Sequence, residues 1–227
     1  VKGLLNIQFA IKDEELFILE ANPRASRTMP FVAKVTGNQI IKAGTLLMLG
    51  YSIEEVKNKT KYLSSSTDKI AIKKAIFPWS RFPAEDTMLG PEMKATGEVL
   101  GVGKEFGTAL NKAYAAAGVE IKDKEKGVFL TLSDDEKPNF IKTINKYLEL
   151  GFTLYATEGT GKFLKTNGID SVIVGKADDS GQTSLTIIED KLVSLVINTP
   201  TYANELTDGW KIRRLSHETG VAVVSSV

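Results

Sequence analysis

The chain has 227 residues, of which 42% are hydrophobic and 25% charged, and its formal net charge is +1. That balance belongs to a globular protein long enough for two domains, and it supplies no global field for nucleic acid or anionic lipid. The absence of cysteine excludes disulfides, thiolate zinc sites and cysteine nucleophiles, and with His217 as the single histidine a histidine-rich metal site is excluded too.

No apolar run approaches a membrane span, and the first residues lack a signal-peptide pattern, so a cytoplasmic protein is expected. The chain starts without methionine and enters a strand almost at once, as expected of a piece cut from something longer.

In chain order, residues 4–11 and 16–20 are apolar runs separated by Lys12-Asp13-Glu14-Glu15, which predicts a β-hairpin. Residues 31–49 carry a helical pattern interrupted near Gly37 and stopped by Gly50. Ser52 and Glu55 have the spacing of a capping box opening a short helix. A lysine-rich connector and the polar run 64–67 follow. Residues 69–79 predict a strand, with Pro78 and Pro83 bracketing the next turn; 89–98 read as a structured loop, and 104–117 as a helix stopped by Gly118.

From Gly127 the pattern changes. Short apolar strands are predicted at 128–132, 152–156, 171–174, 192–197 and 221–225. Helices are predicted between them, the first over Phe140, Ile141, Ile144, Tyr147 and Leu148 behind a second Ser133–Glu136 capping box. Further helical stretches fall at 161–166, 184–189 and 209–218. Alternation of this kind implies an α/β domain with a parallel sheet covered on both faces.

Asn6, Gln8, Glu20 and Asn22 are the polar exceptions in the two hairpin strands. Strand side chains alternate faces, so an odd hairpin loop sets Gln8 opposite Glu20 and Asn6 opposite Asn22. Such carboxylate and amide oxygens suit Mg²⁺, and Arg24 and Arg27 have the geometry for phosphate oxygens. A hairpin with one solvated face would carry the same residue types.

The string Gln8 … Glu20-Ala21-Asn22-Pro23-Arg24-Ala25-Ser26-Arg27 resembles the metal and phosphate end of the ATP-grasp fold, and within it the second synthetase half of carbamoyl-phosphate synthase large subunits. Thr28-Met29-Pro30-Phe31-Val32 and the run 89–98 strengthen the likeness, which extends along nearly the whole chain. The resemblance implies that Gln8, Glu20 and Asn22 hold Mg²⁺ or Mn²⁺ between ATP phosphates and that Arg24 and Arg27 touch phosphate. It also implies a parent ligase making carbamoyl phosphate from bicarbonate, glutamine-derived ammonia and two ATP for arginine and pyrimidine synthesis. Its partners would be the rest of the large subunit and a glutaminase small subunit. The upstream glycine-rich loop and adenine-holding strands of an ATP-grasp site are not in this sequence, so the piece is expected to be inactive alone.

Thr157-Glu158-Gly159-Thr160-Gly161 joins a predicted strand to a predicted helix, Lys176 follows another strand, and Asn198-Thr199 ends a third. All lie at carboxyl ends of parallel strands, where open α/β sheets bind ligands, and Lys137 stands early in the helix behind Ser133. Residues 120–227 resemble the methylglyoxal-synthase-like regulatory domain of the same family, a three-layer α/β/α fold, following an ATP-grasp remnant over 1–119. By that resemblance Thr131, Lys137, Thr157, Gly159, Thr160, Lys176, Asn198 and Thr199 hold a nucleotide effector: UMP, IMP or phosphoribosyl pyrophosphate. Pro200 replaces a threonine found in some relatives, which removes one hydroxyl contact.

Two other readings stand beside this one. A stand-alone lyase resembling methylglyoxal synthase needs a carboxylate base in a Gly-Gly-Asp-type loop; residues 178–183 (Asp-Asp-Ser-Gly-Gln-Thr) lack that arrangement. His217 is expected at the surface rather than as a catalyst. An interaction module would use Phe77, Trp79 and Phe82 as a docking surface, against the alternative that they pack in the chain's own core.

Overall fold

The computed structural model describes residues 1–60, 68–79, 95, 97–121, 126–199 and 207–225. Most of the 89–98 run, Phe82, Pro83, Pro200 and the polar run 64–67 lie outside those residues. The chain separates into two compact units, Val1–Lys74 with Val99–Ala113, and Ala75–Glu98 with Tyr114–Val227.

The first unit opens with β1 (Asn6–Lys12) and β2 (Glu15–Asn22), paired antiparallel. Asp13 and Glu14 form the two-residue turn with φ of 52° and 64°, the left-handed pair that matches the twist of a hairpin. The loop is therefore even, not odd as the polar pattern requires. A bulge supplies the missing residue: Phe9 faces Ile18 while Gln8 faces Glu20, leaving Leu19 without a partner opposite. Asn6 then faces Asn22. Apolar residues of this hairpin stay largely in solvent, Ile11 76%, Leu16 62% and Leu19 64% exposed.

The predicted helix over 31–49 is two helices, α1 (Thr28–Thr36) and α2 (Ile40–Met48), divided at Gly37, whose φ of 72° terminates α1. In α3 (Ile53–Lys59) both halves of the capping box form: Glu55 N donates to Ser52 Oγ at 3.2 Å, and Ser52 N to Glu55 Oε2 at 2.8 Å. β3 (Ile70–Ile76) pairs with β4 (Gly97–Gly103) in a second two-stranded sheet. β4 replaces the end of the expected loop, its three glycines having disguised a strand. Gly101 is needed where it stands, because a Cβ there would lie 2.0 Å from the Ala109 carbonyl oxygen of α4 (Phe106–Ala116).

The second unit is built on five parallel strands: β5 (Gly127–Thr131), β6 (Leu154–Thr157), β7 (Val172–Val174), β8 (Val193–Asn198) and β9 (Ala222–Val224). Their order is β7-β6-β5-β8-β9. Alternate residues feed opposite cores. Val128, Leu130, Leu195 and Ile197 pack with Phe140 and Ile144 of α5 (Lys137–Glu149) and Leu164 of α6 (Glu158–Thr166). Phe129 and Val196 pack with Ile187 and Ile188 of α7 (Thr186–Glu189) and Ile212 of α8 (Asp208–Thr219). Three layers follow, helices on both faces of a sheet whose central strands are buried except at Thr131.

The second capping box does not form. The residue at the α5 N-cap is Glu136, with no side-chain cap bond, because Ser133 is taken by Thr199: Ser133 N donates to Thr199 Oγ1 at 2.8 Å.

His217 is likewise not a surface residue. It is half-buried against Trp79, ring centroids 6.2 Å apart, and Trp79 is itself 8% exposed and stacked on Phe77. Arg214 donates to the Trp79 carbonyl at 3.2 Å. Those aromatics serve this unit's core. Burial, with the nearby Arg214 charge, lowers the His217 pKa to about 4 from 6.5. The unfolded chain therefore takes up a proton that the folded chain refuses, so stability is full above pH 6.5 and is lost as pH falls toward 4. Between those limits the wild-type melting temperature should fall more steeply than that of His217→Gln, read by circular dichroism; parallel slopes would show that His217 titrates normally.

Candidate functional site

Two groups of polar side chains have the composition of anion or metal sites, one in each unit. In the first, the bulge sets Gln8 and Glu20 side by side. Gln8 Nε2 donates to Glu20 Oε1 at 2.7 Å, and Asn22 Nδ2 donates to the same oxygen at 2.9 Å. Three of the four predicted polar residues thus meet at one carboxylate oxygen; Asn6 holds its register position opposite Asn22. Arg27 occupies the N-cap position of α1, and Arg24 lies three residues earlier with Nη1 donating to the Ala25 carbonyl at 3.1 Å. Two guanidiniums therefore accompany the positive end of a helix, a combination that favours phosphate.

The donor set fits a hard divalent cation. Glu20 supplies the charge, and an amide that donates to Glu20 presents its oxygen to a cation by rotating half a turn. Among the described residues no group of three or more His, Cys, Asp or Glu is placed to hold a metal, so the set has one carboxylate. Such a set suits Mg²⁺, which retains waters and binds substrate phosphates, better than it suits a metal needing an all-protein cage.

The second group lies where the sheet changes direction. β5 is the first strand of its sheet in sequence; β6 and β7 extend from one side of it, β8 and β9 from the other. At this switch point Thr131 pairs with Asn198, and the crevice beyond their carboxyl ends is the standard ligand position in such sheets. The loop after β5 is latched to both neighbours: Leu132 N donates to Thr160 Oγ1 at 3.1 Å, Ser133 N to Thr199 Oγ1 at 2.8 Å, and Thr199 N to the Thr131 carbonyl at 3.1 Å. Thr160 is 1% exposed and Thr199 7%, so both hydroxyls frame the crevice from inside.

Thr157 is the N-cap of α6 but makes no side-chain cap bond; its Oγ1 donates to Thr160 Oγ1 at 3.3 Å. The first amides of α6 are left without a capping side chain, a donor array for an anion. Lys137 Nζ sits beside Gly159, 3.9 Å from where a Cβ would be, and pairs with Asp134, whose carboxyl pKa it lowers through that bond. Lys176 follows β7, and its charge reaches Glu158 in the first turn of α6, held below the usual carboxylate range mainly by its bond from Lys162. Every predicted effector residue except Lys176 thus lies at the ends of β5, β6 and β8 or at the start of the helix that follows, with Lys176 at the adjoining end of β7.

Both carboxylates of the 178–183 loop are engaged. Asp178 pairs with Lys211 at 2.8 Å, a bond that raises the Lys211 pKa, and Asp179 Oδ2 accepts from Lys176 N at 2.7 Å. Neither is a loose base. A surface cavity of about 330 Å³ in the first unit is lined by Lys69, Val102, Gly103, Lys104 and Lys112, with Lys112 donating to the Val102 carbonyl at 2.9 Å.

Two parts of the switch-point edge are hidden in the sequence. Ser133 has the spacing of a helix cap but bonds Thr199 instead. Arg213, 1% exposed, donates through Nη1 to Asn198 Oδ1 at 2.7 Å; an arginine in an amphipathic helix gives no sign of burial in sequence.

Residues 1–56 match the carbamoyl-phosphate synthase L chain, ATP binding domain, and residues 139–225 match the MGS-like domain. The fold and its two sites therefore define a protein that joins the end of an ATP-grasp ATP-binding domain to an MGS-like domain. The carbamoyl phosphate synthase large chain, C-terminal section, of Aquifex aeolicus is 40% identical over 94% of this chain and 42% of its own length. Its Methanocaldococcus jannaschii counterpart is 39% identical over 100% and 38% respectively, and the Brucella suis large chain 43% identical over 94% and 18%. The chain belongs to the carbamoyl phosphate synthase large-chain family and matches its C-terminal section. It spans about two fifths of the C-terminal sections and about a fifth of the full large chains it resembles.

The latch between Thr160 and the β5 loop is directly testable. Thr160→Val keeps the shape but orphans the buried Leu132 N–H, and urea denaturation should show a loss of about 1–3 kcal/mol. Thr160→Ser should lose much less; equal losses would assign the effect to packing.

Proposed function

We propose that this chain contributes the metal- and phosphate-holding end of a carbamate-phosphorylating ATP site, through residues 1–119, and a nucleotide effector domain, through residues 120–227. The parent activity would be glutamine-dependent, ATP-consuming synthesis of carbamoyl phosphate in the cytoplasm. Its partners would be the remainder of the large chain and a glutaminase small subunit. The observation that carries the reading is the bulge-set meeting of Gln8 and Asn22 on Glu20.

In this reading Gln8, Glu20 and Asn22 hold Mg²⁺ or Mn²⁺, which when bound neutralises charge on the ATP phosphates. Arg24 and Arg27 pair with phosphate oxygens and orient the transferring group, and no side-chain nucleophile is needed. The exposed apolar residues of β1 and β2 would be covered by the rest of the ATP-binding domain; hydrophobic strands open to water on this scale ask for a cover.

The effector reading rests on the switch-point edge: helix amides, Lys137 and Lys176 for a phosphate, hydroxyls and the Asn198 amide around it. UMP, IMP and phosphoribosyl pyrophosphate all satisfy that chemistry. The lyase alternative is disfavoured because Asp178 and Asp179 are already bonded.

In the full-length large chain, Glu20→Ala should reduce carbamate phosphorylation by more than the about 10–100-fold typical of losing an outer-shell metal partner; near-normal turnover refutes the assignment. Calorimetric titration of the 227-residue chain with the three effectors, without metal, should show binding of a phosphate-bearing nucleotide. Lys176→Ala should weaken it about tenfold while leaving basal catalysis of the full enzyme intact. Equal loss of both would contradict a separate effector site.

A further inference from the structure

The Arg213–Asn198 contact has a consequence for the effector pocket. A guanidinium has donors only, so the end of the Asn198 amide that faces it must be the oxygen. The 2.7 Å bond from Arg213 Nη1 to Asn198 Oδ1 therefore fixes which way the amide points, a choice that an asparagine otherwise makes freely. Nδ2 is thereby the end of the planar group that Arg213 does not hold, on a residue only 3% exposed.

The surroundings keep the pair in place. Arg213 is 1% exposed. Gly209, one turn earlier on α8, gives it room: a Cβ at that position would stand 3.1 Å from Arg213 Nη1 and 3.5 Å from both polar atoms of the Asn198 side chain. Asn198 is the last residue of β8 and pairs with Thr131 across the switch point.

We propose that Arg213 is a positioning residue of the effector pocket: by holding the Asn198 carbonyl it commits the Asn198 NH₂ to an acceptor oxygen of the bound nucleotide. Arg213 itself does not touch the ligand. The proposal rests on the effector reading of the switch-point edge and adds to it a direction, donor toward ligand, and a residue in α8.

The test is a double-mutant cycle on the full chain, with UMP, IMP and phosphoribosyl pyrophosphate as probes in calorimetric titrations and thermal melts recorded for every variant. Asn198→Ala and Arg213→Met should each weaken the binding nucleotide about tenfold, the loss of about one hydrogen bond. In the Asn198→Ala background, Arg213→Met should change affinity by less than about twofold, because its effect passes through the asparagine. Arg213→Lys, which keeps a donor toward Oδ1, should restore most of the affinity. Should Arg213→Met fail to fold, Gly209→Ala perturbs the same pair by a few tenths of an ångström without removing the buried cation, and its loss should also vanish in the Asn198→Ala background.

Multiplying losses, or wild-type affinity in Arg213→Met, would overturn the positioning role while leaving the pocket standing. A wild-type chain that binds none of the three would overturn the pocket and the proposal together.

Discussion

The parallel sheet of the second unit must reverse its direction of growth at β5, and the rest of that unit is arranged around the gap this leaves. Strands β6 and β7 are laid down on one side of β5, β8 and β9 on the other. The helices that follow β5 and β8, α5 and α8, therefore pack on opposite faces of the sheet, and the carboxyl ends of the two strands lie at the crevice where ligands bind in open α/β sheets. What closes the floor of that crevice is a set of hydroxyl–amide bonds. Thr160 holds Leu132 N from the β6 side and Thr199 holds Ser133 N from the β8 side. With these backbone donors satisfied internally, α6, Lys137 and Asn198 carry the other donors at this edge.

Much of this was readable in the sequence because it is periodic. The five parallel strands and their helices follow from short apolar runs separated by amphipathic ones, and the turn 157–161, Lys176 and Asn198–Thr199 stand just after strands as that pattern predicts. What escaped was specified by partners distant in the chain. Ser133 and Glu136 have the spacing of a capping box, yet Thr199, 66 residues away, takes Ser133 instead. His217 and Arg213 look like the polar face of α8, and both are drawn inward, one by Trp79 and the other by Asn198. β4 was hidden by its own glycines, one of which is there to admit α4.

The hairpin shows the same limit from the other side. Its polar alternation predicts that Gln8 and Glu20 face each other, and they do, but for a reason the pattern does not contain. A two-residue turn at Asp13–Glu14 alone would set Gln8 against Leu19 and send Glu20 to the opposite face. The bulge at Leu19 corrects the register by one residue. Leucine carries no signal for a bulge, so the Gln8–Glu20 contact was legible while the device that makes it was not.

The two sites differ in how much of their order they carry within themselves. At the switch point, Asn198, Thr160, Thr199 and Arg213 are nearly inaccessible to water and each is bonded to another part of the unit. Side chains held in this way are already ordered, so a ligand of the proposed kind would give up little free energy to ordering them. On the hairpin, Gln8 and Glu20 are exposed, and the strands beneath them keep apolar side chains in water. Glu20 holds two amides through one oxygen. A cation bound there would be held more tightly with the strands covered, since the attraction between opposite charges strengthens as the surrounding dielectric falls. The order of the switch-point edge is thus local to its unit, whereas the polar residues of the hairpin stand on strands whose apolar side chains remain in water.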